Sequence, residues 1–272
     1  MKKRLLSLIL GLALAAPAYA SIAVAPTRIE LNANKVKNNY ITTVVEVRGS
    51  SKEPIRFKAY PSFFKISEKS DVILLEKTND PHDLSKKLRF VPSEFNVAAG
   101  KTQKVRINVS NINSLPDGES RAMLYIEDIN PAQYSIPTGM NGIGAQVILK
   151  TRVGVPIYID KNATKIGDIE SLQFVTENNS NYAVMKVVST GNSRIRYKGK
   201  IQILDGKKLL SETNVDEVAV GGENFYVDKC QLDLSKVPAG EHTMRAVISY
   251  NDQNGKIKNV KKEIVIKVEG KI

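Results

Sequence analysis

Few residues in this chain have the types and spacing that chemistry needs. His82 and His242 are its two histidines, and neither sits in an HxH or HExxH pattern that would bring a second imidazole to one metal. They lie in different halves of the sequence, which leaves a Ser-His-Asp triad without support. The carboxylate pairs Glu127-Asp128 and Asp216-Glu217 are adjacent in sequence. Neighbours on a strand point to opposite faces, so such pairs make poor acid/base partners. The cluster Gly139-Met-Asn-Gly142-Ile-Gly144 precedes a strand pattern and not a helix, so it lacks the geometry of a phosphate cradle. Trp is absent, and with it the usual stacking platform for sugars. The expectation is a protein that is not an enzyme, with no catalytic residue, no cofactor and no metal.

Cys230 is the only cysteine, so no intramolecular disulfide can form. Its two readings are a small buried hydrophobe and an exposed thiol able to link two chains. The net charge of +12 falls to +9 without the three basic residues of the first twenty. A nucleic-acid partner is not expected, because the lysines alternate with apolar residues along strand patterns such as Lys256 to Lys267 and read as a solvated face.

The elements that would position any site are strands. Residues 1–20 read as a secretory signal: Lys2, Lys3 and Arg4, then the apolar run Leu5 to Ala16, then Ala18-Tyr19-Ala20 before Ser21. No later apolar run reaches about 18 residues, so no integral membrane segment is expected. The remaining 252 residues suffice for two modules. Period-two segments such as Ile22–Leu31, Ile41–Val47, Gln103–Val109, Ala122–Ile129 and Ala145–Ile159 fill the first half, divided by turn signals such as Leu115-Pro-Asp-Gly118. The second half repeats the texture from Ile169–Thr176 through Lys208–Glu212 to Val260–Val268. The predicted fold is all-β, two immunoglobulin-like β-sandwich domains in tandem over 21–160 and 161–272.

Ala145–Ile159 reads as one long strand. Its odd positions are apolar apart from Thr151, while its even set carries Gln146, Lys150 and Arg152. One face must be covered, by the strand's own core or in part by another chain.

The first half also resembles a known family, the PapD-type periplasmic pilus and fimbrial chaperones of the chaperone/usher pathway, as a divergent branch. The resemblance runs over residues 22 to 159. It rests on Val24-Ala-Pro-Thr-Arg-Ile-Glu-Leu31, Pro54-Ile-Arg-Phe-Lys-Ala-Tyr60, the Phe90-Val-Pro…Ala-Gly100…Val105-Arg106 segment, and above all Leu115-Pro-Asp-Gly-Glu-Ser-Arg-Ala-Met-Leu-Tyr-Ile-Glu-Asp-Ile-Asn-Pro131. It implies a periplasmic chaperone that binds fimbrial subunits by donor-strand complementation and delivers them to an outer-membrane usher. The matching donor-strand residues are Val147 and Leu149, with Ile143 and Ala145 extending the row.

It also implies a pair of basic residues that hold the subunit's C-terminal carboxylate. Arg28 matches the first. Gly154 stands where the second, a lysine, is expected, which leaves Arg152 or Lys150 as substitutes. The basic partner of the matched Glu119 is replaced around Tyr158. Pro131 to Gly142 is expected to be a flexible loop, and a free copy could cap itself as a dimer through the donor strand. The competing reading is a structural or adhesive tandem β-sandwich protein of a surface assembly.

Overall fold

Apolar residues, many of them β-branched, recur at every second position along most of the described strands and make them one-sided. The computed structural model describes residues 22–49, 52–67, 71–75, 78–130, 132–136 and 145–269. Along 132–136 and 145–149 it describes the backbone, with Ile148 the one side chain. The expected signal sequence lies outside the described residues.

The first half contains β1 (Ile22–Ala25), β2 (Ile29–Asn32), β3 (Tyr40–Gly49), β4 (Ile55–Ile66), β5 (Val72–Leu75), β6 (Leu88–Val91), β7 (Glu94–Val97), β8 (Thr102–Ser110), β9 (Gly118–Asp128), β10 (Ala132–Ile136), β11 (Ala145–Leu149) and β12 (Arg152–Lys161). The second contains β13 (Gly167–Glu177), β14 (Ser180–Ser189), β15 (Ile195–Asp205), β16 (Lys208–Val220), β17 (Asn224–Leu232), β18 (Gly240–Asn251) and β19 (Ile257–Val268). No α-helix occurs among the described residues, and no helix there is long and apolar enough to cross a membrane.

Two β-sandwiches result. In the first, the sheet β1-β3-β8-β6 faces the sheet β2-β12-β9-β4-β5, with β7 also paired to β4. In the second, β13-β14-β17 faces β16-β15-β18-β19. Alternation decides what is buried: Val45 and Val47 on β3, Val105, Ile107 and Val109 on β8, and Val155, Ile157 and Ile159 on β12 all enter the first core. Each such side chain contributes about 1.5–3 kcal/mol of transfer free energy. The second core is separate and is centred on Met185, Tyr197, Ile201, Met244 and Ile248.

Two predicted strands are broken. Ile22–Leu31 divides around Pro26 into β1, which pairs with β3 antiparallel, and β2, which runs parallel to β12 in the other sheet. Proline has no N–H for a ladder, so the point where the chain leaves one sheet for the other is a place where it fits. Ala145–Ile159 is likewise not one strand: residues 150–151 interrupt it and leave β11 and β12. The segment expected to be a flexible loop after Pro131 contains β10, which pairs with β11.

The link between sandwiches is short, residues 162–166, and it is tied on both sides. Thr164 N–H donates to Asn192 Oδ1 at 2.7 Å, Asn192 N–H returns a bond to Thr164 Oγ1 at 3.0 Å, and Lys161 Nζ donates to Leu115 O at 2.6 Å. At Gly118 the two halves approach closely: its φ is +99°, and a β-carbon there would lie 2.7 Å from the Asn192 carbonyl oxygen. Only glycine accepts both conditions at low cost.

Candidate functional site

The expected site residues fall in two regions, the ribbon that carries β11 and the cleft between the sandwiches, which Arg28 lines. β9 and β12 pair antiparallel from Lys161↔Gly118 to Arg152↔Glu127. The ribbon resumes as β10 and β11, from Ala132↔Leu149 to Ile136↔Ala145. Between these ladders one arm spends residues 128–131 and the other only 150–151, a mismatch that separates the hairpin from the six-stranded sheet. Side-chain bonds clasp the junction. Lys150 Nζ meets Glu127 Oε1 at 2.5 Å, Tyr60 OH donates to Glu127 Oε2 at 2.6 Å, and Asp128 N–H donates to Thr151 O at 3.0 Å. The hydrogen bond from Lys150, then that from Tyr60, holds the Glu127 carboxyl below the usual carboxylate range.

Among the described residues β11 pairs with β10 and with no other strand, so its second edge is open. Of the predicted donor residues, Ala145, Val147 and Leu149 lie on β11, and Ile143 lies outside the described residues. Ile148, on the set of positions the sequence reading took as polar, is 57% exposed.

The cleft face of the first sandwich is set by the other parity of β12. Val155, Ile157 and Ile159 point into the core, so Arg152, Gly154, Pro156, Tyr158 and Asp160 share the outer face with Glu127, Tyr125, Met123, Arg121 and Glu119 of β9. Tyr158 does occupy the place of the expected basic residue, yet Glu119 is not left alone. Arg194, just before β15 on the second sandwich, donates through Nη1 to Glu119 Oε2 and lays its Cζ 3.4 Å from the centroid of the Tyr158 ring. Arg194 and Glu119 are each 3% exposed. The expectation that the partner of Glu119 was lost is therefore corrected: the cation comes from the other domain, and the tyrosine offers its face as the seat.

Glu30 on β2 gathers three guanidiniums on Oε1, from Arg194 at 3.0 Å, Arg196 at 2.9 Å and Arg28 at 3.3 Å. Burial works against its charge, but the charge and hydrogen bond of Arg194, with those of Arg196, outweigh it and hold the carboxyl down at about 2. Arg28 also donates to Glu217 Oε1 at 3.1 Å. The result is a cleft of about 340 Å³ whose lining carries five cationic side chains against two carboxylates.

The three predicted anchor residues do not meet. Arg28 faces the cleft with Glu30 and Glu217. Lys150 is bound to Glu127, and Arg152 lies over the Tyr125 ring at 4.6 Å. Ile29, next to Arg28, pairs with Ile157, five residues from Arg152 and so about 17 Å along the strand. At Gly154 the space a side chain would enter is taken by Met123 Sδ, 2.9 Å from an ideal β-carbon, and by Tyr125. What the structure gathers around Arg28 instead is Arg194 and Arg196, both missed in the sequence. Their signal was the alternation Arg194-Ile195-Arg196-Tyr197, which puts both arginines opposite a core-facing Ile and Tyr.

No family model matches this sequence, and no curated protein matches it. Among solved structures the chain is similar to the class 5 fimbriae chaperone CfaA, at 14% identity and a TM-score of 0.46, over 91% of this chain and 99% of that one. It is also similar to a chain of the CsuC–CsuE chaperone–tip adhesion subunit pre-assembly complex from the archaic chaperone-usher Csu pili of Acinetobacter baumannii, at 11% identity and a TM-score of 0.46, over 89% and 98%. A chain of the Salmonella enterica SafA pilin–SafB chaperone complex matches at 15% identity and a TM-score of 0.41, over 93% and 99%. With identities this low and TM-scores below 0.5, the functional reading stands on the chain's own geometry.

Proposed function

We propose that this chain is a periplasmic chaperone of fimbrial subunits, which lends β11 to a subunit's incomplete sandwich and passes the subunit to an outer-membrane usher. The observation that carries the reading is the open edge of β11, on a two-stranded ribbon separated from the sandwich that supports it. Such an edge offers a row of backbone donors and acceptors to an incoming strand, and alternate side chains offer specificity. Ala145, Val147 and Leu149, with Ile143 before them, form the donor row. Burying each large member contributes about 1.5–3 kcal/mol. Arg28 binds the subunit's terminal carboxylate in the cleft, and Lys150 and Arg152 brace the root of the ribbon rather than share that task.

The reading is tested by co-purification from periplasmic extracts of cells expressing candidate subunits, comparing wild type with Leu149→Glu and Arg28→Ala. A β-rich subunit travels with the wild type and is lost from both variants. Retention of the same partner by both variants contradicts the proposal and favours a structural tandem-sandwich protein.

A further inference from the structure

β15 and β16 slip register beside the cleft. Tyr197 pairs with Val218 and Gly199 with Val215, so Asp216 and Glu217 together oppose Lys198. An extra residue of this kind re-aims the side chains of the bulged strand. Here Glu217 Oε1 takes Arg28 Nη1 at 3.1 Å and stands 3.7 Å from Arg196 Nη1. The two carboxylates of the lining differ in their partners more than in their exposure. Both are partly exposed, but Glu30 takes three guanidiniums within 3.3 Å, one of them the buried Arg194, whereas Glu217 takes one at 3.1 Å and a second at 3.7 Å and sits on β16, the edge strand of its sheet.

We infer that Glu217 is an internal stand-in for a partner's carboxylate: it occupies the Arg28–Arg196 pair while the cleft is empty and is displaced into water when a chain terminus enters. This rests on the assignment of Arg28 as a carboxylate anchor and deepens it. The second cation of the anchor is Arg196, from the second sandwich. Exchange of one carboxylate for another preserves the charge balance of the cleft, and an edge-strand side chain finds water without any backbone movement. The device lowers affinity for the terminus, which suits a ligand that must later be released. It also adds a second carboxylate beside Glu30 to the pair of arginines, which Glu30 alone would otherwise share with Arg194.

The test uses the mature chain and N-acetyl-Leu-Val-Leu, once with a free C-terminal carboxylate and once as the C-terminal amide, followed by NMR of the Nε–H groups of Arg28 and Arg196. Glu217→Gln half-saturates with the acid at about fivefold lower concentration than wild type, the size of one exposed ion pair. The amide perturbs neither protein, and adding Arg28→Ala to Glu217→Gln abolishes the response. Equal half-saturation in wild type and Glu217→Gln overturns the stand-in while leaving Arg28 as an anchor. No response to the acid in any variant overturns the anchor as well, and an equal response to the amide overturns carboxylate recognition. Donor-strand binding is read separately, by the Leu149→Glu co-purification.

Discussion

The guanidinium of Arg194, on the second sandwich, lies over the ring of Tyr158, on the first, with its carbon 3.4 Å from the ring centroid. From that seat it reaches both Glu119 and Glu30, so one buried cation joins β2, β9 and β12 to the other domain. Removing it leaves Glu119 buried and without its main partner. Arg194→Ala is expected to cost about 3 kcal/mol or more in urea unfolding, because breaking a buried pair exposes the penalty of the remaining charge. Adding Glu119→Gln should recover a large part of that loss, a non-additivity measurable in a double-mutant cycle.

The same cluster predicts a pH dependence. The Glu30 carboxyl is held down at about 2 from an ordinary 4.5. A carboxyl depressed in the folded state contributes stability that is complete above its unfolded value and is lost as pH falls through the folded one. The contribution is therefore present at neutral pH and disappears between about 4.5 and 2. Denaturant midpoints of wild type measured across that window should fall more steeply than those of Glu30→Gln, which should be less stable at pH 7 and nearly converge with wild type below pH 2. Parallel slopes would count against the Glu30 assignment.

Alternation made the cores readable from the sequence: Val45, Val105, Ile107, Ile157 and Ile201 are buried where period two put them. The breaks were less legible. Along Ala145 to Ile159 the one break in the apolar row, Thr151, falls at the gap, but a single polar position does not show that the strand ends there, since the gap comes from unequal spacing on the opposite arm, 128–131. β10 was hidden because Ala132–Ile136 mixes polar and apolar residues and becomes a strand by pairing with β11. The partner of Glu119 was sought near Tyr158, but Arg194 is 75 positions away in sequence and belongs to the other domain. Periodicity gives the face on which Arg194 and Arg196 sit. It does not say what that face meets.

Cys230 should be a poor nucleophile. Burial first, and then the charge and hydrogen bond of Asp228, push its thiol up to about 12 from 9.0. Thiolate is the reactive form, so labelling by a thiol reagent at pH 8 should be on the order of a thousandfold slower in the native chain than in urea. Asp228→Asn should speed native labelling, and a disulfide-linked dimer should not accumulate on non-reducing gels. Rapid native labelling would mean that the half-buried thiol is open to reagent.

The clasp of Lys150 and Tyr60 on Glu127 should govern the ribbon more than the fold. Lys150→Ala and Tyr60→Phe are each expected to raise amide exchange at Asp128, whose N–H donates to Thr151 O, severalfold while the amides of β3 and β8 stay protected. Unchanged exchange at the junction would show that the backbone bond from Asp128 to Thr151 holds it alone.

The central claim is that the free edge of β11 receives a partner strand, and amide exchange along Ala145–Leu149 in the free chain and in its co-purified complex tests it most directly. With the free chain first shown to be a monomer by light scattering, alternate amides of β11, those facing away from β10, should exchange quickly in the free protein and become strongly protected in the complex. Protection already complete in the free monomer, or unchanged when the partner is bound, would contradict the account.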